Sequence, residues 1–154
     1  MGYEINAIVA ERGLLEGLAR EHAVPVVALR HGFALVPLTR PVIDTLVAGS
    51  RSAADATPER TLTDVLQTWS DRGPIIHVTS EVHAGVGEQD AQIWQGGNCV
   101  FAQSGSPYSG PASMALQRLG VQGGRLGWDE FDIVGLGMHR RTEGWLKAAT
   151  DATQ

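Results

Sequence analysis

The stretch His77-Val78-Thr79-Ser80-Glu81-Val82-His83 is where this sequence comes nearest to chemistry. Side chains alternate across a strand, so His77, Thr79, Glu81 and His83 share one face while Ile76, Val78 and Val82 fill the other. A polar row of this kind has two readings: the wet face of a half-exposed sheet, or the lining of a cleft. Glu81 and His83 would lie about 6.6 Å apart along the strand. At that spacing the carboxylate can orient the imidazole or share a proton with it, which would make Glu81 a general base and His83 its partner. His77 and His83 would be about 20 Å apart on a straight strand, too far for one metal ion. A metal would need further ligands from His31, His139 or Asp129, and no metal site is expected.

The next segment, Gly85-Val86-Gly87-Glu88-Gln89-Asp90, matches the first two glycines of a dinucleotide fingerprint. It runs from one strand pattern into another, without the helix that would receive a pyrophosphate, so the match is not read as a nucleotide site. Taken as a loop, Gly85 to Gln89 would offer backbone N–H groups to an anion beside Glu81 and His83. Two other clusters stand out. Trp128 precedes Asp129, Glu130 and Asp132, and an indole beside charged groups is the composition of an interface anchor. His139-Arg140-Arg141 is a small basic group, with Arg140 a candidate for holding an anion. The chain has no phosphate-binding loop, no serine nucleophile elbow, no Cys-x-x-Cys and no His-Glu-x-x-His, so no cofactor is expected. Cys99, the sole cysteine, falls in a strand expected to pair and reads as a packed thiol. Ser104, Ser106 and Ser109 read as turn residues in a loop over 103–110.

Positioning these residues requires a mixed fold. Tyr3 to Ala10 alternates as a first strand, with Ile5, Ala7 and Val9 opposite Asn6 and Ile8. From Glu11 to His22 the period becomes helical, with Leu14, Leu15, Leu18 and Ala19 in one stripe. Gly13 and Gly17, one turn apart, suggest close approach of this helix to a sheet. Val24 to Leu29 and Phe33 to Leu38 form a hairpin about Arg30-His31-Gly32. Pro41 opens a short helix, and residues 49–60, without apolar period, read as a mobile loop. Leu62, Val65, Leu66 and Trp69 mark a helix over 61–72. A strand over 74–83 leads, after the glycine loop, to a second hairpin turning at Gly96-Gly97. Pro111 and Thr142 begin the last helices. The expectation is a single α+β domain, with a largely antiparallel sheet and four to six helices packed on it.

The 154 residues are enough for one domain with a core, without disulfide or metal staples. Twelve basic against seventeen acidic side chains give a net charge of −5, which disfavours duplex nucleic acid and anionic membrane as partners. The N-terminal residues show no secretory pattern and no apolar run reaches bilayer length, so a cytoplasmic location is expected. Two functions fit these observations. The first is a small binding protein, of the bacterial immunity or antitoxin kind, that inhibits a basic partner protein stoichiometrically. Its contact surface would combine Trp128, Asp129, Glu130 and Asp132 with Glu88 and Asp90. The second is a small enzyme or ligand-binding protein that uses Glu81 and His83 beside the Gly85–Gln89 loop. Neither fixes an oligomeric state.

Overall fold

The computed structural model describes residues 3–48, 58–83, 86–105, 111–120 and 142–152. In chain order these form β1 (Tyr3–Glu11), α1 (Arg12–His22), β2 (Val27–Ala28), β3 (Phe33–Pro37), α2 (Arg40–Ala48), α3 (Pro58–Ser70), β4 (Ile75–His83), β5 (Val86–Gln95), β6 (Asn98–Gly105), α4 (Pro111–Arg118) and α5 (Thr142–Ala152). The six strands make one sheet in the order β2-β3-β1-β4-β5-β6. Every pairing in it is antiparallel. This is the expected α+β architecture, with helices on both faces of the sheet.

Period-two alternation in the strands divides the core into two layers. Ile5, Ala7 and Val9 of β1 join Ile76 and Val78 of β4 and Ala91 and Ile93 of β5, and they pack on Ala112, Ala115 and Leu116 of α4 and Trp145 of α5. On the opposite face Ile8, Ala10, Ala34, Val36, Ile75 and Trp94 meet Leu15 and Leu18 of α1, Val42 and Leu46 of α2, and Leu66 and Trp69 of α3. A strand buried on both faces must be apolar at every position. The central part of β1, Ala7 to Ala10, is fully buried and has that composition.

Several boundaries differ from the sequence reading for identifiable reasons. Helix α3 starts at Pro58, inside the segment read as a loop over 49–60, because proline suits the first helical position. Residues 49–57 lie outside the described residues. Of the loop read over Gly85–Gln89, Val86 to Gln89 are instead the beginning of β5, where Val82 faces Gly87 and His83 faces Val86; Gly85 lies outside the described residues. Strand β6 likewise continues to Gly105, through residues assigned to a loop. Gly96 and Gly97 both have positive φ, 60° and 82°, as a two-residue hairpin turn demands. Gly13 and Gly17 do not bring α1 close to the sheet, since a Cβ at either would meet nothing within 4 Å. Cys99, expected to be packed, is exposed on the edge strand β6.

Candidate functional site

The register of β1, β4 and β5 sorts one face of the sheet into four rows. Beginning under the helices α1–α3, Ala10, Ile75 and Trp94 stand side by side, followed by Ile8, His77 and Gln92. Next come Asn6, Thr79 and Asp90, and finally Glu4, Glu81 and Glu88. Adjacent rows are two residues apart, about 6.6 Å, so the surface passes from apolar to acidic within about 20 Å. The helix layer occupies the apolar end. The acidic end opens as a depression of about 260 Å³, lined on this face by Glu4, Asn6, Thr79, Glu81, Glu88 and Asp90. Thr79 and Glu81 line this depression, whereas His77 lies towards the helices, partly buried and outside it.

His77 forms the boundary. Its Nε2 donates to Asn6 Oδ1 at 2.8 Å, joining β1 to β4 through side chains as well as backbone. Burial pushes the imidazole pKa down to about 4, against the upward pull of the Asp90 carboxylate and of a hydrogen bond with Gln92. The ring is therefore neutral at pH 7. Gln92 Oε1 also accepts from Trp94 Nε1 at 3.1 Å, which extends the polar chain to the apolar row. In the next row Thr79 Oγ1 stands 3.5 Å from Asp90 Oδ2, a long contact.

In the last row Glu81 has Glu4 opposite on one side and Glu88 on the other. Directly opposed side chains have Cβ atoms about 5 Å apart, and like charges so placed repel. All three glutamates are exposed, Asp90 is partly exposed, and neither acidic row contains Lys or Arg. Such a surface attracts cations and cationic side chains. Among the described residues no group of three His, Cys, Asp or Glu side chains is arranged to hold a metal ion.

The candidates named from sequence fall into distinct places. Glu81, Glu88 and Asp90 converge at the depression. Gly87 is a ladder residue of β5 opposite Val82, so the anion-cradling loop proposed for Gly85–Gln89 is replaced by paired strand from Val86 onward. Gln89 points to the other face, is 4% exposed, and uses its Oε1 to accept the N–H of Ala112 at 2.9 Å. It caps the first turn of α4 from a neighbouring strand, satisfying a donor that the helix itself cannot. His83 ends β4, two residues beyond Glu81. His31 sits at the opposite end of the sheet, beside a cavity of about 470 Å³ lined also by Glu11 and Arg72. Gly85, Trp128, Asp129, Glu130, Asp132, His139 and Arg140 lie outside the described residues.

Glu4 and Asn6 complete the two acidic-end rows and were not singled out from sequence. Their alternation with Ile5 and Ala7 was visible, but their neighbours were not. Placing them required the β1–β4 register, which sets each beside a residue more than seventy positions later. Comparison with known proteins finds no matching family model, no matching curated protein and no matching solved structure. Among the described residues, no helix is long and apolar enough to cross a membrane.

Proposed function

We propose that this chain is a stoichiometric binding protein whose acidic sheet end receives a basic segment of a partner protein. The observation that carries this reading is the alignment of Glu4, Glu81 and Glu88 on three adjacent strands, with Asp90 in the row behind. The row, with Asp90 behind it, gathers four carboxylates at one end of the sheet, a surface that attracts Lys and Arg side chains. The depression is shallow and open, suited to one protruding cationic side chain of a larger surface. Long-range attraction by an acidic face also speeds encounter with a basic partner. A stoichiometric inhibitor of the immunity or antitoxin kind would use this complementarity to hold a basic target.

The test begins with capture of binding proteins from lysate at low salt and their identification by mass spectrometry. The affinity of a captured basic protein is then measured for the wild type and for a Glu4→Lys/Glu88→Lys variant over a series of salt concentrations. The reading expects at least a tenfold loss on charge reversal, together with a flatter salt dependence. Affinity and salt slope unchanged by the reversal would overturn it.

A further inference from the structure

The sheet ends on β6, an eight-residue strand with the sequence Asn98-Cys-Val-Phe-Ala-Gln-Ser-Gly105. None of these residues is charged and none is proline. An edge strand carries a row of unpaired backbone N–H and C=O groups, and folded proteins guard such edges with Lys, Pro, inward charges or very short strands. The other edge of this sheet follows that practice, because β2 is only two residues long. Among the described residues the guards on β6 are a bulge, where Ile93 pairs with Phe101 but Trp94 pairs with Cys99, leaving Val100 as the extra residue, and Arg118 of α4 over the Phe101 ring. Beyond the bulge, Phe101 to Gly105 run in regular register with β5.

A second observation marks the same edge. The large hydrophobic side chains that stand exposed among the described residues are Val100, at 54%, and Met114, at 41%. Val100 is on β6. Met114 is on α4, the helix that packs over this end of the sheet and whose Arg118 guanidinium lies 4.6 Å from the Phe101 ring centroid.

We infer that the Phe101–Gly105 edge pairs with the same edge of a second copy of this chain, joining two six-stranded sheets into one across a two-fold axis. With the axis perpendicular to the sheet the two β6 strands run antiparallel, so the seam continues the all-antiparallel pattern of the sheet. Charge favours a second copy as the occupant. β6 itself contributes no charged side chain to the seam, although the protein carries −5 overall, and the cation beside it, Arg118 over the Phe101 ring, disfavours a basic strand there. The nearest acidic row position on each side is Asp90, one strand inward. Across the seam the two Asp90 residues are three strand spacings apart, about 14 Å, beyond the screening length of about 8 Å at physiological salt. A basic strand would gain nothing from β6 itself and would be drawn to the rows on β1, β4 and β5 instead. The inference is independent of the proposed partner site, which stays open on the sheet face.

One strand and part of one helix make a small interface, so a dissociation constant in about the micromolar range is expected. Sedimentation equilibrium of the full chain, from about 1 to 200 µM, should show a monomer–dimer equilibrium. Ala102→Lys/Gln103→Lys places lysine on both faces of the exposed strand and should raise the dissociation constant at least tenfold. The neutral Ala102→Thr/Gln103→Thr pair should leave the dimer intact, and urea unfolding of both variants reports whether the fold is kept. Cys99 is exposed, is the only cysteine, and precedes the bulge, so a spin label there stands beside the paired segment. Pairing within 101–105 puts the two labelled backbone positions roughly 15–30 Å apart, whereas a dimer through the β2 edge would separate them by about 50 Å. A chain that stays monomeric over the whole range overturns the inference. So does a dimer indifferent to the lysine pair, or one with only the long separation.

Discussion

His77 Nε2 and Asn6 Oδ1 lie 2.8 Å apart across the β1–β4 seam, where the helix-covered part of the sheet face gives way to the acidic depression. The bond requires a ring N–H on that nitrogen, and burial keeps the ring as a whole neutral at pH 7. The ordinary histidine pKa of about 6.5 applies when the chain is unfolded, and about 4 when it is folded. Above pH 6.5 both states are neutral at this site and stability does not depend on it. Between 6.5 and 4 the unfolded chain takes up the proton and the folded one does not, so stability falls as pH falls. Between pH 7.5 and 5 the loss amounts to ~2 kcal/mol. Urea unfolding at the two pH values should show it, and His77→Gln, which keeps a donor towards Asn6, should remove most of the difference. An equal pH dependence in the variant would assign the effect to other groups.

Gln89 makes a second side-chain link, from β5 to the first turn of α4. Gln89→Ala leaves the Ala112 N–H without its acceptor in a buried place and deletes side-chain volume. The expected loss is about 2–3 kcal/mol. Gln89→Glu retains an acceptor near a helix N-terminus, where a carboxylate is favoured, and should lose less. Unfolding midpoints rank the two variants, and hydrogen exchange at Ala112 should quicken in the alanine variant alone.

Local periodicity made most of the elements legible. The alternation of Tyr3 to Ala10, the Leu62-Val65-Leu66-Trp69 stripe and the Gly96-Gly97 turn each carry their structure within a dozen residues, and each element formed, although α3 runs over Pro58–Ser70 rather than 61–72. What was illegible was pairing at a distance. Glu81 was noticed for its neighbour His83, but its nearest acidic neighbours are Glu88, across a hairpin mistaken for a loop, and Glu4, seventy-seven positions earlier. Glycine misled twice, at Gly87 and in α1. Its permissive backbone fits a loop, a strand and a helix alike, and it has no side chain to pattern. Gln89 was grouped with Glu88 and Asp90 by adjacency, whereas strand geometry sends it to the opposite face.

The glutamate row should carry a measurable cost. Glu88→Gln removes one charge directly opposite Glu81 and keeps the shape of the side chain. At low ionic strength the variant should be more stable than wild type by a few tenths of a kcal/mol. The gain should shrink at about 0.5 M salt, where exposed charges are screened. Paired urea titrations at the two salt concentrations measure this. A variant less stable than wild type in both would mean that the row is not a site of repulsion, and would remove the main support for a cationic partner.

Helix α1 places glycine and alanine in each other's best positions. Gly17 is in its interior, where a Cβ would meet nothing within 4 Å, and glycine there costs about 1 kcal/mol relative to alanine. Ala23 follows its last turn with φ 55° and ψ 44°, the left-handed conformation that favours glycine, while Val24 donates to Ala19 O at 3.0 Å. Gly17→Ala should therefore stabilise the protein by about 0.5–1 kcal/mol. Ala23→Gly should stabilise it by about as much, because relief of the strained backbone outweighs the added freedom of the unfolded chain. The positions are six residues apart and make separate contacts, so the effects should add in the double variant. Thermal and urea unfolding of the three variants test the pair. A destabilising Ala23→Gly would show that the αL cap is not strained by its methyl group, and a destabilising Gly17→Ala would show that α1 needs the space.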